Sequence, residues 1–337
     1  MPIETIILSI TAILFILLVF LGLYMLRNYL RSQSQQNNIP QSNIPDILIK
    51  RYQRVEQLGR GMNAGTYLVQ DIQDDENTIV AKVLLTPIDD SRISYDSYRR
   101  HRLRFQREMK NLLKIQPCPY VVPILNIYPN TIPPFFVMER CEESLADILK
   151  GGPLSIQEFL EAIVDILKGL YAIHTKNIIH RDLKPANILK LRSKWVLADF
   201  GMSLLGDDKS IITAQESLPG TIPYTAPEVT YSENVTCTAD IFSLGVCIKE
   251  MLTTHTTHDK LTSDLLLNGT EIKTKEEVKL FDDVVKEMIN YDEPMRPQSI
   301  INVYESLQDI FKKINMKRTK GNKLKGIEKI RNIDSVT

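Results

Sequence analysis

One short stretch of the chain, from His180 to Leu189, holds the side chains best suited to chemistry. Asp182 can accept a proton from a hydroxyl group, and Asn187, five residues later, offers an amide oxygen to a hard cation. Asp199 adds a carboxylate that can bind the same kind of cation. A proton acceptor close to ligands for a hard metal ion is what phosphoryl transfer to a hydroxyl requires.

A glycine-rich turn and a lysine in the first third of the chain complete this set. Gly59, Gly61 and Gly65 lack side chains, so the backbone N–H groups around them can approach phosphate oxygens. Lys82 lies in the β-like run that follows, and Glu108 lies in the helical segment after it, where its plain interpretation is an ordinary solvated charge on a helix.

The first part of the globular region is predicted to be a β-rich lobe. Strands are expected at residues 52–58, 66–71 and 79–85, with a polar separator at 73–77, and again at 121–128 and 135–139. A helix is expected at residues 95–115, and its apolar face would carry Phe105, Met109, Leu112 and Leu113.

The remainder is predicted to be a helical lobe. Ser155 and Glu158 form a capping box that starts an apolar helix, and further helices fit residues 239–252, 275–289 and 298–311. A β-rich part followed by a helical part predicts an α+β fold with two lobes and a cleft between them. Small-molecule sites tend to form in such clefts.

The order of these motifs resembles that of eukaryotic-type protein kinases over about residues 52–311. The resemblance is carried by His180-Arg181-Asp182, then by Asp199-Phe200-Gly201, and then by Ala226-Pro227-Glu228. The stretch from Asp240 to Gly245 resembles the anchoring helix of the large lobe, and Arg296 resembles the late arginine that pairs with Glu228. The resemblance implies a two-lobed kinase fold that uses ATP with Mg²⁺, or Mn²⁺ in its place.

The resemblance also assigns roles by position. It makes Asp182 the base, Lys184 a contact of the transferring phosphate, Lys82 the phosphate-holding lysine and Glu108 its partner, while Asn187 and Asp199 bind metal. The ATP site would comprise Leu58, Gly59, Gly61, Gly65, Thr66, Lys82, Glu139, Cys141 and Leu189, with Met138 at its back. Adenine would hydrogen-bond to the backbone at Glu139 and Cys141.

Two positions depart from the family pattern. Ala64 stands where a third glycine is usual, with Gly65 one place late, and Val80 shares a strand face with Lys82 where a smaller alanine is more common. These departures leave open a pseudokinase that scaffolds partners without catalysis. A kinase of lipids or small metabolites on the same fold is a third reading, which the protein-like substrate loop disfavours.

Lys184, two residues after Asp182, is typical of serine/threonine kinases, and the segment from Gly220 to Tyr224 resembles their substrate-binding loop. Protein serine and threonine hydroxyls are therefore the expected substrates. Between these motifs lie three candidate phosphorylation sites that could pair with Arg181, namely Ser210, Thr213 and Ser217. The alternative is that they are ordinary polar loop residues.

The first residues have a different composition. The stretch of residues 6–26, from Ile6 to Leu26, contains no charged residue and is long enough to cross a bilayer. A cleaved signal peptide and a buried core helix are the alternatives, but no Lys or Arg precedes the stretch and no small-residue cleavage site follows it. Arg27 and Arg31 follow it directly, so we expect a single-pass anchor with its N-terminus outside and the kinase domain in the cytoplasm. Which membrane it occupies is open.

The expected organisation is a stub at residues 1–5, a membrane helix at 6–26, a linker at 27–50, a kinase domain at 51–313 whose lobes meet after residue 140, and a basic tail at 314–337. The tail could be solvated, could contact anionic lipids, or could dock a partner. Lys plus Arg equals Asp plus Glu, at 41 each, so overall charge gives no support for nucleic-acid binding. The four cysteines are scattered, which favours a reducing compartment.

Overall fold

A computed structural model describes residues 47–61, 63–85, 95–205, 223–230, 234–254 and 274–317. The small lobe is built on an antiparallel sheet with the strand order β1-β2-β3-β4-β6-β5. Its strands are β1 Ile47–Leu48, β2 Tyr52–Arg60, β3 Ala64–Asp71, β4 Asp74–Leu84, β5 Ile124–Tyr128 and β6 Phe135–Met138. The expected β-rich lobe is present. The expectation that residues 73–77 separate two strands was wrong, because β4 begins at Asp74, which pairs with Asp71 across a tight hairpin.

The two faces of this sheet have different neighbours. Ala81 and Val83 belong to an apolar cluster on one face, together with Tyr67 and Phe135. Alternation puts Lys82 on the opposite face, where its strand partner is Phe136. Val80 shares that face, as predicted from the sequence.

Helix α1 (Tyr95–Ile115) crosses the lysine-bearing face. Phe105, Met109 and Leu112 are buried, and the ring of Phe105 lies 5.5 Å from that of Phe136. Leu113 is 50% exposed, so its expected place on the apolar face was wrong. The buried side chains turn Glu108, one residue from Met109, toward the sheet.

The large lobe is helical, as expected. Its helices are α2 Leu145–Leu149, α3 Ile156–His174, α4 Thr238–Thr253, α5 Lys275–Met288 and α6 Ile300–Lys317. The predicted capping box starts α3: the Ser155 hydroxyl accepts from the N–H of Glu158, whose carboxylate accepts from the N–H of Ser155. Helix α4 packs so closely on α5 that a Cβ at Gly245 would lie 2.8 Å from Met288.

Two small ribbons carry the segments that hold the candidate chemistry. Strands β7 (Ile178–Ile179) and β10 (Leu204–Leu205) pair with each other, and so do β8 (Ile188–Leu191) and β9 (Lys194–Leu197). The loop from His180 to Asn187 therefore runs from β7 to β8, and Asp199 follows β9. Both segments are fixed at each end by a strand.

The predicted pair between Arg296 and Glu228 is present. Arg296 donates from Nη1 and Nη2 to the two carboxylate oxygens of Glu228, at 2.6 and 2.9 Å, and both side chains are buried. The pair fixes the short helix Pro227–Thr230 against the base of α4, where Nη1 also donates to the backbone oxygen of Thr238. A bidentate arrangement of this kind satisfies both charges where water is excluded.

The described residues revise two expected boundaries. Leu48 is buried and lies in β1, so the sheet begins inside the stretch assigned to the linker. At the other end α6 continues to Lys317 and Ile314 is fully buried, so the large lobe extends past residue 313. None of the helices within the described ranges is long and apolar enough to span a bilayer, and residues 6–26 lie outside these ranges.

The displaced glycine of the phosphate-binding turn has a packing reason. Gly65 faces the side of the sheet opposite Lys82, where a Cβ would lie 2.5 Å from the Tyr67 hydroxyl oxygen and 2.6 Å from its ring. The Tyr67 ring is buried in the apolar cluster that also contains Ala81 and Val83, and close packing there leaves the ring no room to move away. Ala64 and Thr66 consequently face the side that carries Lys82.

We expect Gly65→Ala to lower the free energy of unfolding by about 1 to 3 kcal/mol, because the new methyl group overpacks against Tyr67. Chemical denaturation measures this change. Gly59→Ala is the matched control, since a Cβ there meets nothing within 4 Å. Adding Tyr67→Leu to Gly65→Ala should recover part of the loss, and equal stability of the two single glycine variants would contradict the packing explanation.

Candidate active site

Lys82 lies between two carboxylates that come from different parts of the chain. Its Nζ donates to Glu108 Oε1 at 2.6 Å and to Asp199 Oδ1 at 2.8 Å. Burial acts to lower the pKa of Lys82, but the charges of Asp199 and Glu108 outweigh it and raise that pKa. The Lys82 charge lowers the pKa of Asp199 to about 2, so this carboxylate is ionised at any physiological pH. The ion pair predicted between Lys82 and Glu108 is present.

Asp199 has the exposure expected of a group that meets a ligand. Glu108 is 2% exposed whereas the Asp199 side chain is 48% exposed. The backbone at Asp199 has a φ of 61°, an uncommon left-handed conformation for a residue with a side chain. Gly201 follows closely, and a Cβ there would lie 3.2 Å from Asp199 Oδ1. The glycine thus leaves space beside the carboxylate.

The loop after β7 brings the second half of the chemistry together. Lys184 Nζ donates to both carboxylate oxygens of Asp182, at 3.0 and 2.8 Å. Asn187 Nδ2 donates to the backbone oxygen of Asp182 at 2.8 Å and to Asp182 Oδ2 at 3.0 Å. Burial raises the pKa of Asp182, and Lys184 opposes that change. Asp182 therefore lies in an electrostatic setting that favours proton acceptance more than a solvated aspartate does.

One buried carboxylate holds this loop in place. Asp240, at the start of α4, accepts from the backbone N–H groups of His180 and Arg181, each at 2.9 Å, and from His174 Nε2 at 2.8 Å. These contacts hold Arg181 in a left-handed conformation with a φ of 65°. The sequence identified Asp240 as part of an anchoring helix, but His174 was missed because its position at the end of α3 carries no local signal.

His180 joins the loop to the segment that bears Asp199. Its ring lies 4.7 Å from that of Phe200, and its Nε2 is 3.0 Å from the backbone oxygen of Ala198. A carbonyl can only accept, so Nε2 carries the proton and Nδ1 is free to accept from the N–H of Asp182 at 3.4 Å. Asp182 and the segment that bears Asp199 are thus coupled through one buried imidazole.

The expected nucleotide-binding residues lie on strands β2, β3 and β4, in the turn after β2, in the segment after β6 and on β8. Leu189 and Cys141 pack with Met138 in a small apolar cluster at the junction of the lobes. The N–H of Gly61 donates to the backbone oxygen of Ala64 at 2.8 Å, which closes the glycine-rich turn. Leu58 and Gly59 lie on β2 before this turn, and Thr66 on β3 is the strand partner of Gly59.

Glu139 has one backbone group left for the expected contact with adenine. Its backbone N–H donates to the oxygen of Pro123 at 3.0 Å, so only its carbonyl can serve adenine. Its side chain is 3.2 Å from Arg192, on the far side of the hinge segment. Burial raises the pKa of the Cys141 thiol to about 11, so this residue is neutral and its role at the hinge is that of packing and backbone contact.

The donor atoms fit a magnesium ion. Since both hydrogen bonds of the Asn187 side chain use Nδ2, its Oδ1 is the atom left for a cation, and the Asp199 carboxylate supplies charge. Across the described ranges no cluster of three or more His, Cys, Asp or Glu forms a metal site. Mg²⁺ does not need one, because it binds through one or two protein ligands together with substrate phosphates and water.

Arg181 is a buried cation next to the site, and it is within electrostatic range of Arg104 and Arg107. It is 6% exposed, and no group in the described part of the chain bonds its Nε. Burial lowers the pKa of Arg181 to about 10; Asp240 opposes this change, and the charges of Arg104 and Arg107 on α1 add to it. The candidate phosphorylation sites Ser210, Thr213 and Ser217, and the loop from Gly220 to residue 222, lie outside the described residues.

Comparison with known proteins agrees with this geometry. The family described as "Protein kinase domain" matches residues 52–320. The chain belongs to the protein kinase family. The kinase match covers both lobes, and it runs past the expected end of the domain at residue 313, as helix α6 does.

Three curated relatives of this kinase domain come from bacteria. A probable serine/threonine-protein kinase PknB of Lactococcus lactis is 28% identical over 77% of this chain and 39% of its own length. The PknB kinase of Mycolicibacterium smegmatis is 32% identical over 62% of this chain and 33% of its own length. The PknD kinase of Mycobacterium tuberculosis is 33% identical over 60% of this chain and 29% of its own length. The chain thus spans about a third of the length of the relatives it matches.

Proposed function

We propose that this chain is a protein kinase that transfers the γ-phosphate of ATP to serine and threonine hydroxyls of proteins. The observation that carries the proposal is the position of Lys82, 2.6 Å from Glu108 and 2.8 Å from Asp199. In this arrangement the proposed phosphate-binding cation lies beside the ionised carboxylate proposed to bind metal. It supports a catalyst over a pseudokinase, although Ala64 and Val80 depart from the usual pattern.

Each residue has a part in the proposed reaction. Asp182 orients the substrate hydroxyl and accepts its proton, while Lys184 contacts the phosphate that is transferred. Asn187 and Asp199 would hold Mg²⁺, which supplies neutralisation of phosphate charge when bound. Lys82 holds the phosphates and Glu108 keeps Lys82 in place, so the chain acts mainly by positioning and electrostatics.

Specificity for serine and threonine rests on Lys184 and on the names of the relatives. Lys184 lies within hydrogen-bond distance of Asp182, where it can reach both the hydroxyl and the phosphate. Incubation with magnesium ATP and a generic protein substrate, followed by identification of the phosphorylated amino acids, tests this assignment. Phosphoserine and phosphothreonine are expected, and phosphotyrosine as the main product would contradict it.

Phosphorylation of the loop after Asp199 is proposed as a means of regulation. A phosphate on Ser210, Thr213 or Ser217 would bring about two negative charges close to Arg181, Arg104 and Arg107. The support is Arg181 itself, which is buried and electrostatically strained by Arg104 and Arg107. A phosphate there would relieve this repulsion and order the loop.

Anchoring to a membrane through residues 6–26 is also proposed, with the kinase domain on the cytoplasmic side. The support is the length and apolarity of this stretch and the cations Arg27 and Arg31 after it. Contact of the basic tail with anionic lipids would add to this anchor.

Deletion of residues 1–31 should move the protein from the membrane fraction to the soluble fraction, because the apolar stretch is the main source of membrane affinity. Fractionation and immunoblotting of the two forms measure this change. Deletion of residues 318–337 is the control and should leave the protein in the membrane fraction. Retention of the first deletion variant at the membrane would show that another segment is the anchor.

A further inference from the structure

A buried hydrogen bond joins helix α1 to the segment that follows Asp199. Asn111 Nδ2 donates to Ser203 Oγ at 3.0 Å, across 92 positions of sequence. Asn111 is fully buried and Ser203 is 4% exposed. None of the roles proposed above uses either side chain.

Ser203 is in turn hydrogen-bonded to Phe200. Its hydroxyl donates to the backbone oxygen of Phe200 at 2.7 Å, and its N–H donates to the same oxygen at 3.0 Å. Because the hydroxyl hydrogen is used there, the Ser203 oxygen must accept from Asn111. The bond therefore fixes both the orientation of the Asn111 amide and the turn from Phe200 to Ser203.

Helix α1 thus holds this segment at two points, one turn apart. The first is Glu108, whose Oε1 accepts from Lys82 Nζ at 2.6 Å, while the same Nζ donates to Asp199 at 2.8 Å. The second is Asn111, three residues further along the helix. On the other side, Leu204 pairs with Ile179 in the ribbon that leads to His180. The segment after Asp199 is consequently tied to both lobes.

Stability alone does not account for an asparagine at this place. Its Oδ1 is buried, and no group among the described residues bonds it. A buried polar atom without a partner is unfavourable, so an apolar side chain of similar size would be less costly at this fully buried position. The amide is therefore better explained by the direction it imposes on Ser203 than by the stability it adds.

We infer that Asn111 is a positioning residue. Through Ser203 it keeps the metal-binding Asp199 within bonding distance of Lys82, next to Glu108. The inference rests on the proposed kinase function. With the bond in place, a displacement of α1 carries the Phe200 to Ser203 turn with it, so the Lys82 ion pairs and the metal ligand are made or lost together. Without it, the link from Glu108 through Lys82 to Asp199 is what remains of the two attachments described above.

The test uses the full chain with Asn111→Leu, Ser203→Ala and the double variant, and Asn126→Leu on the exposed surface of β5 as a control. We expect each of the first three to lower kcat about tenfold and to raise the Mg²⁺ concentration for half-maximal activity several-fold, which is the scale of one lost buried hydrogen bond. Affinity for ATP without metal should not change, because Lys82 and the hinge segment are intact.

Stability separates positioning from packing. Replacing both partners by apolar groups can be nearly neutral, so the double variant should unfold at a temperature close to that of the wild type while its kcat stays low. Wild-type kcat and Mg²⁺ dependence in the double variant would overturn the inference. The same holds for Ser203→Ala, the smallest change and the one most certain to fold. An inactive wild-type chain would instead overturn the proposed function.

Discussion

Asp182→Ala lowers kcat by on the order of 10²-fold or more, because the variant has no group to accept the hydroxyl proton. The fold should persist, since Asn187 also donates to the backbone oxygen of residue 182, at 2.8 Å, and this bond does not need the side chain. Steady-state phosphorylation rates and thermal unfolding measure the two effects. Asp283→Ala, an exposed aspartate on α5, is the control and should change neither. Turnover close to that of the wild type would remove Asp182 from the mechanism.

The pH profile gives a second readout of the same role. Burial raises the pKa of Asp182 above its ordinary value of 3.8. The ionised carboxylate is the form that accepts a proton, so activity is present above the shifted pKa and is lost as the pH falls through it. We expect the acidic limb of kcat/KM to lie above the range of a solvated aspartate. Lys184→Met should move this limb further up, because the Lys184 charge acts to lower the pKa of Asp182.

Lys82→Met is expected to reduce kcat/KM by about 10²-fold to 10³-fold, since one cation holds the phosphates and also fixes the metal-binding carboxylate. The change leaves Glu108 buried without a cation next to Asp199, and burial already raises the pKa of Glu108. Glu108 should respond by taking up a proton rather than by unfolding the lobe. Kinetics at several ATP and Mg²⁺ concentrations measure the effect.

The matched control for Lys82 is Lys110→Met on the exposed side of α1, two residues after Glu108. It removes the same charge from the same lobe but touches neither carboxylate, so activity should stay within about twofold. Glu108→Gln should have an intermediate effect, because Lys82 keeps its 2.8 Å contact with Asp199. Equal activity of the Lys82 and Lys110 variants would contradict the assigned role of Lys82.

The residues of the site could be predicted from the sequence because their chemistry is carried by short motifs. Asp182, Lys184 and Asn187 lie within six positions of one another, and the structure joins them by direct hydrogen bonds. Lys82, Glu108 and Asp199 are far apart in the chain, and they were linked by resemblance to a family. Their assembly around one Nζ atom is a property of the fold.

Contacts without a motif could not be predicted. The bond between Asn111 and Ser203 spans 92 positions, and each residue alone reads as a polar residue in an apolar stretch. His174 was missed for the same reason, because a histidine at the end of a helix gives no indication of a partner 66 positions away. Long-range pairs of this kind are set by how the lobes pack, which local pattern does not encode.

The errors in secondary structure have local causes. The polar run after Asp71 was expected to separate two strands, yet the hairpin pairing of Asp71 with Asp74 extends β4 through it. Leu113 was placed on the apolar face of α1 with Phe105, Met109 and Leu112, but eight residues at about 100° each put it about 80° from Phe105, and it is half exposed. In both cases backbone geometry prevailed over side-chain polarity.

The most direct test of the central claim compares the wild-type chain with Asp199→Asn in transfer of the γ-phosphate from magnesium ATP to a generic protein substrate. Asparagine keeps the size of Asp199 but lacks the charge that binds Mg²⁺ and pairs with Lys82. The wild type should transfer phosphate to the substrate. The variant should still fold but transfer phosphate at least about 10²-fold more slowly. Nucleotide binding without phosphate transfer by the wild type, or equal transfer by both forms, would contradict the assignment of this site to catalysis.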